Sequence, residues 1–169
     1  MNPDRLETAA RIIGANRYMS LGTSGRSGSW VAPLAYTIEP NFDLVFYSAV
    51  ESLHCQNIAT DNRVSGAIFD SREPSDTADG LQFSGRAKIV DDLDLATVMA
   101  RYFELSFPDP AVRARWTRDP ADFREGAQQR FYRVVLDAVF TLDLDSTKID
   151  RRVSLDLEDL KKAYRKIQV

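Results

Sequence analysis

The chain has 169 residues, a formal net charge of −3, 44% hydrophobic and 28% charged residues, one cysteine and one histidine. That length permits one domain with a real core, and the composition is globular and not disordered. The acidic balance argues against a nucleic-acid partner; a lone cysteine cannot close an internal disulfide, and a lone histidine gives no cluster for zinc. No apolar run reaches the length of a membrane span, and MNPDRLETAARIIG lacks the layout of a secretory signal. A single cytoplasmic domain over residues 1–169, without a membrane partner, is therefore expected.

Asn2 as N-cap and Pro3 at the first helical position predict a short amphipathic helix with Leu6, Ala9 and Ile13 on one face. From Tyr18 the period changes: RYMSLGT, a turn over SGRSG and SWVAPLAYTI read as a hairpin, EPNFD as the next turn and LVFYS as a third strand. A helical stretch, ESLHCQNIATDN, leads to the strand RVSGAIFD, the polar loop SREPSDTADG and the strand LQFSGRAKIVD. Leu95, Val98, Met99 and Tyr102 recur at helical spacing. FPDPAVRARWTRDPADFREGA, residues 107–127, reads as a lid-like excursion with a helical turn, and RFYRVVLDAVFTLDLD as one or two final strands. The tail LDLEDLKKAYRKI places Leu157, Leu160, Tyr164 and Ile167 on one stripe, with acids in its first turn and bases later. Many short strands and few helices predict an antiparallel barrel of about six strands with peripheral helices.

The only histidine and cysteine, His54 and Cys55, adjoin in VFYSAVESLHCQN. Three readings of this stretch stand side by side. It is ordinary β-α-β punctuation with Ser52 as a helix N-cap, or a nucleophilic pair, which helical geometry disfavours because neighbouring side chains diverge. In the third reading it is an anion site, built from first-turn amides, the Ser48 and Ser52 hydroxyls and the His54 imidazole. Cys55 on its own reads as a small buried hydrophobe.

The order helix, LGTSGRSGSWVAPLAYTI, DLVFYSAVESLHCQNIATDNRVSGAIFD, LQFSGRAKIVD resembles the pyridoxamine 5′-phosphate oxidase-like family of FMN-binding split barrels. The resemblance covers roughly residues 10–91 and, more loosely, RFYRVVLDAVFTLD. It implies an FMN-dependent oxidoreductase and a homodimer with a flavin in each groove between protomers. Ala32, Pro33, Leu34 and Ala35 match the strand flanking the isoalloxazine ring, and Tyr47 and Ser48 the strand end beside the ribityl phosphate. Ser52 matches the phosphate-binding serine, Leu53 and His54 the two positions after it, and Gln82 a polar residue reaching flavin from the partner subunit.

Several positions depart from the family pattern. Leu53 and His54 stand where an Arg-Lys pair is common, which removes charge-assisted bonds to the phosphate. Ala32 and Thr37 replace the arginine and lysine of true pyridoxamine-phosphate oxidases, and the C-terminal Arg-x-His motif is absent, so vitamin B6 oxidation is not expected. Trp30 and Trp116 read as core more readily than as flavin-stacking rings. Arg113, Arg115, Arg118 and Arg124 read as a solvated face or as substitutes for the missing phosphate charge. The alternatives within the fold are a deazaflavin coenzyme, haem, for which His54 is the one histidine ligand available, or a flavin-carrying sensor without turnover.

Overall fold

The computed structural model describes residues 3–72, 79–143 and 151–167. The expected cap at Asn2, most of the polar loop and the end of the last long strand lie outside the described residues. The chain opens with helix α1 (Pro3–Ala15) and the hairpin β1 (Tyr18–Gly25) and β2 (Gly28–Ala35). The hairpin turns over Arg26 and Ser27, and Gly28 closes it with φ of +99°, a left-handed conformation that glycine adopts without a Cβ penalty.

The segment read as one strand to Ile38 is broken at Tyr36, and only Thr37–Ile38 form β3. The break falls where Tyr36 makes the last bond in the β1 register while its side chain turns to α1. Its amide donates to the Arg17 carbonyl at 3.1 Å, and its buried hydroxyl donates to the Ile13 carbonyl at 2.6 Å. The chain continues through β4 (Leu44–Ala49), α2 (Leu53–Thr60), β5 (Arg63–Phe69), β6 (Gly80–Ile89) and α3 (Asp92–Ser106). The lid-like region carries α4 (Pro110–Trp116) and a 3-10 turn, Pro120–Phe123. The final strand is one long element, β7 (Gln129–Leu142), followed by β8 (Arg152–Leu155) and α5 (Leu157–Ile167).

All pairings are antiparallel, in the order β2-β1-β5-β6-β7-β4-β3, with β8 also on β7. Because Tyr36 alone separates β2 from β3, the two ends of that order are the same stretch of chain, and the sheet must curl upon itself. The circuit is the expected split barrel, with β2 and β3 acting as one bent strand. The long β7 serves three partners: β6 runs along it from Tyr132 to Thr141, Gln129–Val134 pair with β4, and Val139–Leu142 pair with β8. No hydrophobic run announces β8, a strand absent from the expected elements.

Alternation along β4 explains its unbroken apolar run. Leu44 and Phe46 belong to the barrel core with Met19, Leu21, Ile68 and Phe83, whereas Val45 belongs to a second core under α3 with Leu95, Val98, Phe103 and Phe131. A strand buried on both faces needs apolar residues at every position. α1 and α5 cover the barrel with Ala9, Ile13, Leu160 and Ala163, while Ile167, at the end of the expected stripe, is exposed.

Candidate functional site

The end of β4 and the start of α2 build the first feature. Phe46 stacks on Tyr132 of β7, with ring centroids 5.2 Å apart, and also neighbours the His54 ring at 6.3 Å. Ser48, two residues on, faces the same way as Phe46, while Tyr47 faces the opposite side. The chain then turns through Val50 and Glu51, and Ser52 sits at the N-cap position of α2 in extended geometry. Its hydroxyl makes no capping bond and is turned toward the histidine instead.

Ser48, Ser52 and His54 converge. His54 Nε2 lies 2.9 Å from Ser48 Oγ and 3.1 Å from Ser52 Oγ, and the two hydroxyl oxygens are 3.4 Å apart. His54 is only 8% exposed, and burial lowers its pKa from the ordinary histidine value. The imidazole therefore stands behind the two half-buried serines as a neutral hydrogen-bonding group. The first-turn amides of α2 precede the first intrahelical bond, Gln56 N to Ser52 O, and are free to donate.

Arg130, absent from the sequence-derived site, stands opposite Ser48 in the β4–β7 register. It lies two residues before Tyr132 and so shares the face of Ser48. Its side chain is 13% exposed, one terminal nitrogen is 3.5 Å from Asp92, and Nε is buried without a hydrogen-bond partner. The available signal is an arginine two positions before Tyr132 in the strand RFYRVVLDAVFTLD.

The other expected residues fall into separate places. Ala32 is buried opposite Leu21 in the hairpin, Leu34 packs partly against the barrel core, and Pro33 is exposed. Leu53 is half-buried at the helix start. Gln82 is exposed on β6, where its side-chain oxygen accepts from Arg152 Nε at 2.7 Å. Among the described contacts it has none with the serine–histidine cluster.

Tyr47 and Ala35 meet elsewhere, in a cavity of about 420 Å³ between the end of α1, β2, β3, α3 and α4. Tyr47 packs edge-on against Tyr102 at 5.4 Å and 77°. Burial is the main cause pushing the Tyr102 phenol up to about 12. Trp116 lines the cavity from α4, stacked parallel to Phe107 at 5.4 Å. The expectation that both tryptophans are core residues is corrected: Trp30 is 46% and Trp116 49% exposed. Each sits on an element that presents little of itself to the core, the outer hairpin and a helix with no buried residue.

Of the four lid arginines, Arg118 donates to Gln129 at 2.8 Å, and none is hydrogen-bonded to the serine–histidine cluster. Cys55 is buried in the barrel core and makes no pair with His54. Among the described residues no group of histidine, cysteine and carboxylate side chains is arranged to hold a metal ion, and no helix is long and apolar enough to cross a membrane.

The family model for pyridoxamine 5′-phosphate oxidase matches residues 6–134, well over half of the sequence. The chain belongs to this family. No curated protein matches it significantly. Solved structures reproduce the fold of this oxidase-family chain at low identity. A protein of unknown function from Agrobacterium tumefaciens is 21% identical with a TM-score of 0.70, over 95% of this chain and 61% of that one. A heme binding protein from Mycobacterium smegmatis is 19% identical with a TM-score of 0.65, over 94% of this chain and 59% of that one. An FAD-binding protein from Mesorhizobium loti is 16% identical with a TM-score of 0.59, over 78% and 89%. This family member thus spans about three fifths of the length of the first two relatives.

Proposed function

We propose that the protein is an FMN-binding flavoprotein, a split-barrel homodimer acting as an oxidoreductase on a small molecule other than pyridoxamine phosphate. The observation that carries this reading is the convergence of Ser48, Ser52 and His54 at the start of α2. The donor set fits a phosphate monoester. With its proton on Nε2, the neutral imidazole donates to Ser48 Oγ, and both hydroxyl hydrogens are then free to turn toward the anion alongside the first-turn amides. Arg130 places one permanent positive charge on the same face.

When bound, FMN supplies the hydride and electron chemistry, and the chain positions it. Binding of FAD by the Mesorhizobium loti relative supports a flavin on this fold. Haem, bound by the Mycobacterium smegmatis relative, would need the only histidine as its histidine ligand. That ring is buried, and both serine hydroxyls already lie within hydrogen-bonding distance of its Nε2, which favours flavin.

The purified protein is expected to show flavin absorbance or to quench added FMN on titration. Hydrogen bonds to charged groups are worth about 1.5–3 kcal/mol, so Ser48→Ala with Ser52→Ala should weaken FMN binding by at least roughly tenfold. Unchanged affinity in that double variant would remove the phosphate assignment. Rapid reduction of the bound flavin by NADH or NADPH supports turnover, whereas inert flavin supports a carrier.

A further inference from the structure

The cavity beside Tyr47 lies on the opposite face of β4 from the serine–histidine cluster, and it has a chemistry of its own. Its volume of about 420 Å³ falls in the range of small-molecule sites, roughly 300–1,000 Å³. Two kinds of aromatic surface form the walls: the edge-packed pair Tyr47 and Tyr102, and the parallel stack of Phe107 and Trp116. Trp116 is half-exposed on a helix that buries no residue, so its ring is available to cover a ligand.

Among the residues lining the cavity, Arg17 alone carries a formal charge, and no carboxylate lines it. The Arg17 carbonyl is tied to the Tyr36 amide, which fixes its backbone at the cavity. Its guanidinium is exposed, and among the described residues it makes no ion pair or hydrogen bond. A guanidinium in that state offers a bidentate fork to a carboxylate. Thr37 also lines the cavity, 6% exposed, and its buried hydroxyl has no hydrogen-bond partner. A buried hydroxyl left unpaired is costly unless something satisfies it.

We propose that this cavity binds a planar aromatic acid, its rings held among Tyr47, Tyr102 and Trp116 and its carboxylate on Arg17. Aromatic walls select flat apolar rings through area and offset stacking, and the single unpaired cation selects a monoanion over a neutral or cationic analogue. An aliphatic acid of similar charge would leave the walls unfilled. Binding rests on the cavity alone; only the role of such an acid as the flavin's reaction partner rests on the reading above.

The test uses 2-naphthoate, its neutral isostere 2-naphthamide and the aliphatic monoanion hexanoate, titrated calorimetrically into the full chain with and without FMN. Saturable one-to-one binding of naphthoate is expected, at least tenfold tighter than the amide, with no measurable heat from hexanoate. Arg17→Ala should bring naphthoate down to the level of the amide and leave the amide unchanged. Trp116→Ala should weaken both. In a Trp30→Phe background, where Trp116 is the sole tryptophan, naphthoate should change its emission with the same midpoint. Equal binding of acid and amide, indifference to Arg17→Ala in a variant with native circular dichroism, or no binding with or without FMN overturns the proposal. Naphthoate binding to a protein that never takes up flavin supports the cavity and overturns the flavin reading alone.

Discussion

At the scale of single residues, the proposed anion site turns on His54 and on its state of charge. A charged imidazole would lose its grip as pH rises through its pKa, but burial pushes that pKa below the ordinary value of 6.5. The ring is then already neutral at pH 7, and in the proposed site it would set the two serine hydroxyls. FMN affinity measured by fluorescence titration should therefore be flat between pH 7 and 9; a tenfold fall across that range would mean the ring binds as a cation. The same shift has a stability consequence. Folded His54 binds a proton less readily than unfolded His54, so unfolding takes up a proton below pH 6.5 and stability drops as pH falls through that value. Above pH 6.5 the effect is absent. His54→Asn should flatten the slope of stability against pH just below about 6.5, and an unchanged slope in chemical denaturation would assign the acid sensitivity to other groups.

At the scale of elements, β6 illustrates a packing demand that residue types hardly advertise. The β6–β7 ladder shifts register between Ser84 and Gly85, and a Cβ at Gly85 would collide with the Val135 carbonyl oxygen. Because the obstacle is backbone, Gly85→Ala should destabilise by about 1–3 kcal/mol, the usual cost of overpacking, visible as a lower denaturation midpoint. A neutral effect would show that the bulge can relax. GRAKI therefore carries a structural glycine that periodicity alone does not reveal. Other elements were plain in the sequence for physical reasons. LVFYS is apolar throughout because cores lie on both of its faces, and Leu95, Val98, Met99 and Tyr102 recur because α3 buries one side. The break at Tyr36 and the strand RVSL were hidden, since one depends on a hydrogen bond to α1 and the other on the distant edge of β7. The site divided in the same way. Ser48, Ser52 and His54 are close in sequence and came together, whereas Arg130 reaches Ser48 only through strand pairing, and Tyr47 is turned from Ser48 by the period of the strand.

At the scale of the whole molecule, the outer face of β2, β1, β5 and β6 has no covering element among the described residues. Register places Pro33, Ser20, Ala67, Gln82 and Phe140 in one row across five strands, and Val31, Gly22, Ser65 and Ser84 in the next. Val31 is 62% and Phe69 51% exposed on this face. Small residues between them keep the surface flat enough for a second sheet to approach, and exposed apolar patches of this kind mark interaction sites. A second copy of the chain is the partner that the proposed homodimer requires, and Gln82, held by Arg152, then faces across the interface. Two variants separate assembly from cofactor contact. Val31→Glu with Phe69→Glu places charges in the centre of the interface and should yield monomers near 19 kDa by light scattering, with flavin lost alongside the dimer. Gln82→Ala should leave the dimer intact and weaken FMN by about fivefold, the worth of one hydrogen bond near 1 kcal/mol. A wild-type protein that is monomeric and still binds FMN tightly would overturn the shared site, because the groove completing it needs both copies.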